Sequence, residues 1–221
     1  MKKYIGLLIM VFLTMSGCSS QSEAVSRTIP TDDIKEIFIA TDGENIVVNQ
    51  TEGKKVQVEF NNKDRLLVQQ DGNSLKINVK ESSSFINFKT ETLTVSLPKE
   101  LKAALHIETI AGKVLGEEIL NERLSVSSES GTIELKNVNG EFVKDSRITT
   151  VAGNIDVQLD TFEQGYNVDI STKAGKIKSK LDLTQIEGEK SNKMLKGFTG
   201  EKDMEKSNFV IDTGTGTISI Q

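Results

Sequence analysis

Few residues in this chain have the type and spacing that chemistry requires. Asp212-Thr213-Gly214, preceded by the apolar pair Val210-Ile211, has the look of an acid-protease loop, but that reaction needs two carboxylates sharing one proton. Asp42-Gly43-Glu44-Asn45 and Asp71-Gly72-Asn73 offer oxygen ligands of the kind calcium takes. Neither has the spacing of an EF-hand or a calcium-binding β-roll, and Asp, Asn and Gly together are also the ordinary chemistry of tight turns. His106 is the only histidine, which excludes a two-imidazole zinc site and leaves a Ser-His-Asp triad without support. No metal, cofactor or catalytic residue is expected.

The remaining reactive position is Cys18, the single cysteine. Lys2 and Lys3 open the chain, an apolar run follows from Tyr4 to Met15, and Ser16-Gly17 precede Cys18. This is the order of a secretory leader, and the run is shorter than the ~20 residues of a membrane span. Met15-Ser16-Gly17-Cys18 resembles a lipobox in which Cys18 is lipidated and becomes the mature N-terminus, with Met15 where Leu is usual. A lone acyl chain anchors weakly; the diacylglyceryl group of such a cysteine supplies two chains. Residues 1–17 are therefore expected to be a leader, 18–33 a polar tether, and 34–221 the working domain, exported and held to a membrane. Without a second cysteine that domain has no internal disulfide and depends on packing. The chain carries a net charge of −5, more negative once Lys2 and Lys3 are removed, which argues against nucleic acid as a partner.

The elements that must position any site are written in a repeat. Gly112, Gly131, Gly153, Gly175 and Gly216 align five segments. Five residues before each glycine stand Ile107, Val126, Ile148, Ile170 and Ile211, and three before stand Thr109, Ser128, Thr150, Thr172 and Thr213. The residue just before is small, and two after stand Val114, Ile133, Ile155, Ile177 and Ile218. Apolar and hydroxyl residues alternate with polar ones at period two, so each copy reads as strand, corner, strand with one face inward. The glycines are 19, 22, 22 and 41 residues apart. Units this small cannot bury their own apolar face, so they predict an all-β solenoid, a parallel β-helix-like stack with clear repeats from about residue 105. The alternative is a sandwich of hairpins that look alike. In register, the stack makes isoleucine ladders its core and lets a Thr/Ser ladder satisfy itself through hydroxyls. Ile155 and Ile177 are expected in that core, Asp156 and Lys178 outside it.

Before the repeats, residues 34–79 read as hairpins, with Asp71-Gly72 as a tight turn; Leu93 to Pro98 is a strand stopped by proline. Residues 181–207 are charged and irregular, and read as a protruding loop with room for a helical turn. The hairpin with Asp71-Gly72, the Leu93–Pro98 strand and the Thr-x-x-Gly-x-Ile/Val series together resemble the bacterial family called "putative adhesins", exported β-strand-repeat proteins. The resemblance covers residues 34–221. It implies a β-helix-like domain outside the cytoplasm and offers no catalytic residues.

Two classes of function are open to such a chain. The first is a non-catalytic envelope module touching wall or matrix polymer, or an envelope protein of the stress-response kind. The alternative is a polysaccharide-active β-helix enzyme, which would want clustered carboxylates and aromatic sugar platforms. The chain has no Trp and two Tyr, one of them within the leader.

Overall fold

In the computed structural model the described residues are 23–81, 91–139, 144–160, 165–187, 193–200 and 206–221. They form strands and turns only. In chain order the first nine strands are β1 (Val25–Pro30), β2 (Glu36–Thr41), β3 (Asn45–Thr51), β4 (Lys55–Phe60), β5 (Leu66–Asp71), β6 (Ser74–Val79), β7 (Thr92–Pro98), β8 (Ala104–Ala111) and β9 (Val114–Glu117). The next eight are β10 (Arg123–Ser130), β11 (Ile133–Val138), β12 (Asp145–Ala152), β13 (Ile155–Leu159), β14 (Tyr166–Ser179), β15 (Thr184–Glu187), β16 (Met194–Phe198) and β17 (Ser207–Ile220).

The repeat predicts a parallel stack, and a parallel stack is present. Strands that precede the corner pair in the order β6-β2-β8-β10-β12-β17-β14. Strands that follow it pair as β7-β3-β9-β11-β13, and β17 and β14 run through the corner to complete both sheets. Seven rungs result among the described residues, two more than the glycine alignment shows. At the inward ladder positions like stands above like: Val126 lies beside Ile107 and Ile148, and Ile155 beside Ile133 and Ile218.

Two expectations about residues 34–79 divide here. The Asp71-Gly72 hairpin is present, with Gly72 at φ 54°. The segment as a whole is more than hairpins, because β2–β3 is a full rung: Ile39, Thr41 and Ile46 stand in the columns of Ile107, Thr109 and Val114. Glu44 occupies the place of the corner glycine, which hides this copy from the repeat pattern.

The core lies between the two sheets. Ile77, Ile39, Ile107, Val126, Ile148, Ile211 and Ile170 form one ladder, each with at most 1% of its surface exposed. Full burial of such side chains stabilises by about 1.5–3 kcal/mol each. Beyond the corner a second ladder includes Leu93, Ile46, Val114, Ile133, Ile155 and Ile218, all buried. Ile177 continues it but is only partly buried. It sits on the last rung, where among the described residues no strand lies beyond it.

The corner explains the glycines. A Cβ on Gly131 would stand 2.0 Å from the Gly112 carbonyl oxygen, and one on Gly153 would stand 1.7 Å from that of Gly131. The chain turns with each carbonyl pressed into the rung above, and only hydrogen fits. At Gly131 the backbone also has φ 145°, a region that side chains disfavour.

Two further expectations are corrected. The polar tether, drawn to residue 33, ends earlier, because β1 pairs antiparallel with β4 from Val25–Phe60 to Pro30–Lys55. Val25 and Ile29 lean on the core, and Pro30 is tolerated on an edge strand. The irregular loop drawn over 181–207 contains an antiparallel pair, β15 with β16, and β16 pairs with β14. Leu183 and Leu195 pack against the core there and hold the pair to the last rung. Residues 188–192 and 201–205 of that loop lie outside the described residues.

Candidate functional site

The tight spacing of rungs decides what each candidate side chain can do, since every outward position has a neighbour on the next strand about 4.8 Å away. Asp212 accepts a hydrogen bond from the Ser171 hydroxyl across β17 and β14. Thr213, next to it, is fully buried and donates to the Gly153 carbonyl at 3.2 Å. The Asp-Thr-Gly tripeptide is thus a rung of the stack. His106 lies on the outward side of β8 and stacks on Phe38 of β2, with ring centres 4.6 Å apart and planes within 10°. One face of its ring is spent on that stack. Among the described residues no three His, Cys, Asp or Glu side chains gather as a metal site would require.

Both acidic turns are used by the fold. Asn45 accepts the Lys113 backbone N–H at 2.8 Å. Glu44, buried, accepts the Gly43 N–H at 3.2 Å and pairs with Arg65. Arg65 pairs also with Glu91, donates from Nε to the Lys80 carbonyl at 2.8 Å, and lies over the Phe60 ring at 5.7 Å. This cluster closes the first-rung end of the stack. No local pattern announces it, because its three charged members come from positions 44, 65 and 91.

The hydroxyl column is inward, as the repeat predicts: Thr109, Ser128, Thr150, Thr172 and Thr213 are all buried, and Thr41 extends it. The expected hydroxyl-to-hydroxyl ladder is replaced by another arrangement. Thr41 donates to Thr109 at 3.1 Å, but Thr109 turns to the Ala111 carbonyl, and Thr172 and Thr213 donate to corner glycine carbonyls. Those carbonyls are closer because the glycines let the rungs approach. Ser128 and Thr150 have no partner within hydrogen-bonding distance. The column is packing with local bonds, and it presents nothing to a partner.

What faces outward is side chains of mixed type, joined in places by polar contacts across rungs. Asn167 donates to Asn208 at 3.0 Å, and Asn208 donates to Asp145 at 3.0 Å, one bond per rung. Lys113 and Lys136 flank Glu134 at 2.6 and 3.0 Å on the other sheet. Open hollows lie at the strand ends and turns. One of about 680 Å³ is lined by Lys35, Lys102 and Arg123 set against Glu36 and Glu122. Another of about 420 Å³ lies between Thr51–Lys54 and Pro98–Leu101.

A family model described as Toastrack DUF4097 matches residues 34–145, half of the sequence. The chain belongs to the Toastrack DUF4097 family. The match runs from β2 through β11 and so takes in the first two of the five corner glycines, Gly112 and Gly131. Among solved structures it is similar to a "putative cell adhesion protein" from Clostridium sporogenes, with 15% identity over 90% of this chain and 98% of that one and a TM-score of 0.67. It is also similar to a "putative adhesin" from Bacteroides fragilis, 14% identical over 90% of this chain and 97% of that one, with a TM-score of 0.38. At such identities the first likeness shows a shared fold and the second adds nothing to it. No curated protein matches the sequence. Cys18, the proposed lipid-bearing residue, lies outside the described residues.

Proposed function

We propose that this Toastrack protein is a non-catalytic binding module of the bacterial cell envelope, exported and anchored through lipidated Cys18. The observation that carries the reading is the pair of outward faces, whose strands are locked in register across the stack. They are long, regular and continuous from rung to rung, a shape suited to contact along an extended partner rather than to enclosing a small substrate. The leader-like start and the lipobox-like Met15–Cys18 supply the address. The described chain enters through β1, which lies at one end of its sheet, with β14 at the other. Eight strand spacings separate them, about 38 Å, so a lipid tether before β1 leaves the β14 end free to reach outward.

Two measurements test this. Replacing Cys18 with Ala is expected to abolish acyl labelling and to move the protein from the membrane fraction, or to leave it as uncleaved precursor. Crosslinking of the tethered protein in intact cells, followed by mass spectrometry, is expected to capture an envelope component. Wild-type protein found unacylated in the medium would overturn the anchor. A turnover by the purified domain that one point mutation abolishes would overturn the binding module in favour of a polysaccharide-active enzyme.

A further inference from the structure

The most unusual charge distribution in the molecule is on the second half of β14. Tyr166–Ser171 is covered by β16, with partners from Asn167–Phe198 to Ser171–Met194. From Ala174 to Ser179 the same strand pairs only with β17, and among the described residues its other edge meets no strand. Along this open edge the sequence reads Lys173-Ala174-Gly175-Lys176-Ile177-Lys178-Ser179-Lys180, four lysines and no acid in a chain whose net charge is negative. All four side chains are exposed. Lys176 and Lys178 lie in register with Thr217 and Ser219, which bring no charge, and Lys180 meets only the Gln221 amide at 2.7 Å. Elsewhere lysines are neutralised: Lys113 and Lys136 by Glu134 on the same sheet, and Lys99 by Glu52 and Glu118 at the strand ends.

Lysines on an edge strand are a common guard against unwanted pairing, and that role is compatible with selective pairing. A guard of one sign turns away neutral and basic strands and leaves acidic ones favoured. With Ile177 facing inward, Lys176 and Lys178 share the outward face, about 6.6 Å apart along the strand. The free backbone offers hydrogen bonds to an extended chain, and the cations select which chain.

We infer that the open edge of β14 is a strand-addition site for an extended acidic segment of a partner protein, with carboxylates at alternate positions beside Lys176 and Lys178. An anionic wall polymer or lipid headgroup would use the lysines but leave the backbone edge idle. A peptide uses both, and it would also cover the exposed part of Ile177. The inference rests on the binding-module reading and adds the place and the partner chemistry to it.

The test uses the full mature chain, made soluble by Cys18→Ala, and a peptide alternating glutamate with threonine. The peptide is expected to bind, to bind more weakly as salt rises, and to slow amide exchange at residues 174–179. Backbone N-methylation of the peptide, which keeps its charge but removes its hydrogen bonds, is expected to cost about tenfold or more in affinity. The pair Lys176→Glu and Lys178→Glu is expected to cost as much without moving the urea midpoint. Equal binding of the N-methylated peptide, of polyphosphate or of phosphatidylglycerol vesicles, with no amide protection, would overturn strand addition in favour of plain anion attraction. No binding by any probe would overturn the site altogether. Either result would leave the binding-module reading to stand or fall on crosslinking in cells.

Discussion

The two ends of the stack are finished differently. At the first-rung end both sheets are continued by antiparallel strands, β5 on β6 before the corner and β4 on β7 after it, with β1 beyond. The corner side there is closed by Arg65 between Glu44 and Glu91. At the last-rung end, among the described residues, only the sheet before the corner is continued, by β16 and β15. Beyond the corner β14 ends that sheet with lysines and a half-covered isoleucine. Solenoids need polar or covered ends to stay soluble, and this one meets the need by closure at one end and by charge at the other. A closed end is a structural device. An end left open and charged keeps its backbone available.

The largest effect should come from opening the closed end. Arg65→Ala leaves two carboxylates facing each other, Glu44 of them buried, and is expected to destabilise by about 3–5 kcal/mol, read as a fall in the urea midpoint. Adding Glu44→Gln to that variant should recover part of the loss, since the stranded charge is then removed.

Next comes the contrast within one ladder. Ile155→Ala, in the middle of the stack, is expected to cost about 2–5 kcal/mol. The same change at Ile177 should cost only about 1 kcal/mol, because that side chain is already partly in water. Equal losses at the two positions would mean that the last rung is covered after all.

Outward positions should matter least for stability. Asp156→Ala and Lys178→Ala are each expected to stay within about 0.5 kcal/mol. A subtler difference concerns pH. Hydrogen bonds from Lys113 and Lys136 hold the Glu134 carboxyl below its ordinary range. A depressed folded-state pKa adds stability that is present above the unfolded value and lost as pH falls through the folded one. The urea-midpoint gap between wild type and Glu134→Gln is therefore expected to be present at neutral pH and to close below about pH 4. Lys178→Ala, whose lysine has no acid beside it, should show no such closing.

The middle of the molecule was legible in the sequence and the ends were not, for a physical reason. Close stacking admits only glycine at the corner, so Gly112, Gly131, Gly153, Gly175 and Gly216 mark their rungs unmistakably. Where a rung has a different neighbour the constraint relaxes. At the first-rung end the corner position is Glu44, free to carry a side chain because Arg65 is there to receive it, and the pattern vanishes. β1 escaped notice because only Val25 and Ile29 of its residues lean inward. Nor does any periodicity disclose stacking order, since identical rungs predict the same columns whichever lies beside which. Of the proposed interaction site, the lysines are plain in the sequence. That they lie on an open edge depends on β17 pairing with one side of β14 and β16 stopping at Ser171.

That stacking order bears on how the domain assembles. β17 comes after β14 in the chain, yet it lies between β14 and the β12–β13 rung, pairing with both. A ladder extended in chain order would seat β14 directly on β12, in the berth that β17 requires. Rung-by-rung growth, the usual route for a one-dimensional array, therefore stops at β13. Completion has to wait for a distant segment, and β14 and β17, in register along thirteen residue pairs, must arrive as a unit or in reverse order. The last two rungs thus form one cooperative block, which stays unfinished until the β17 segment is available to pair with both of its neighbours.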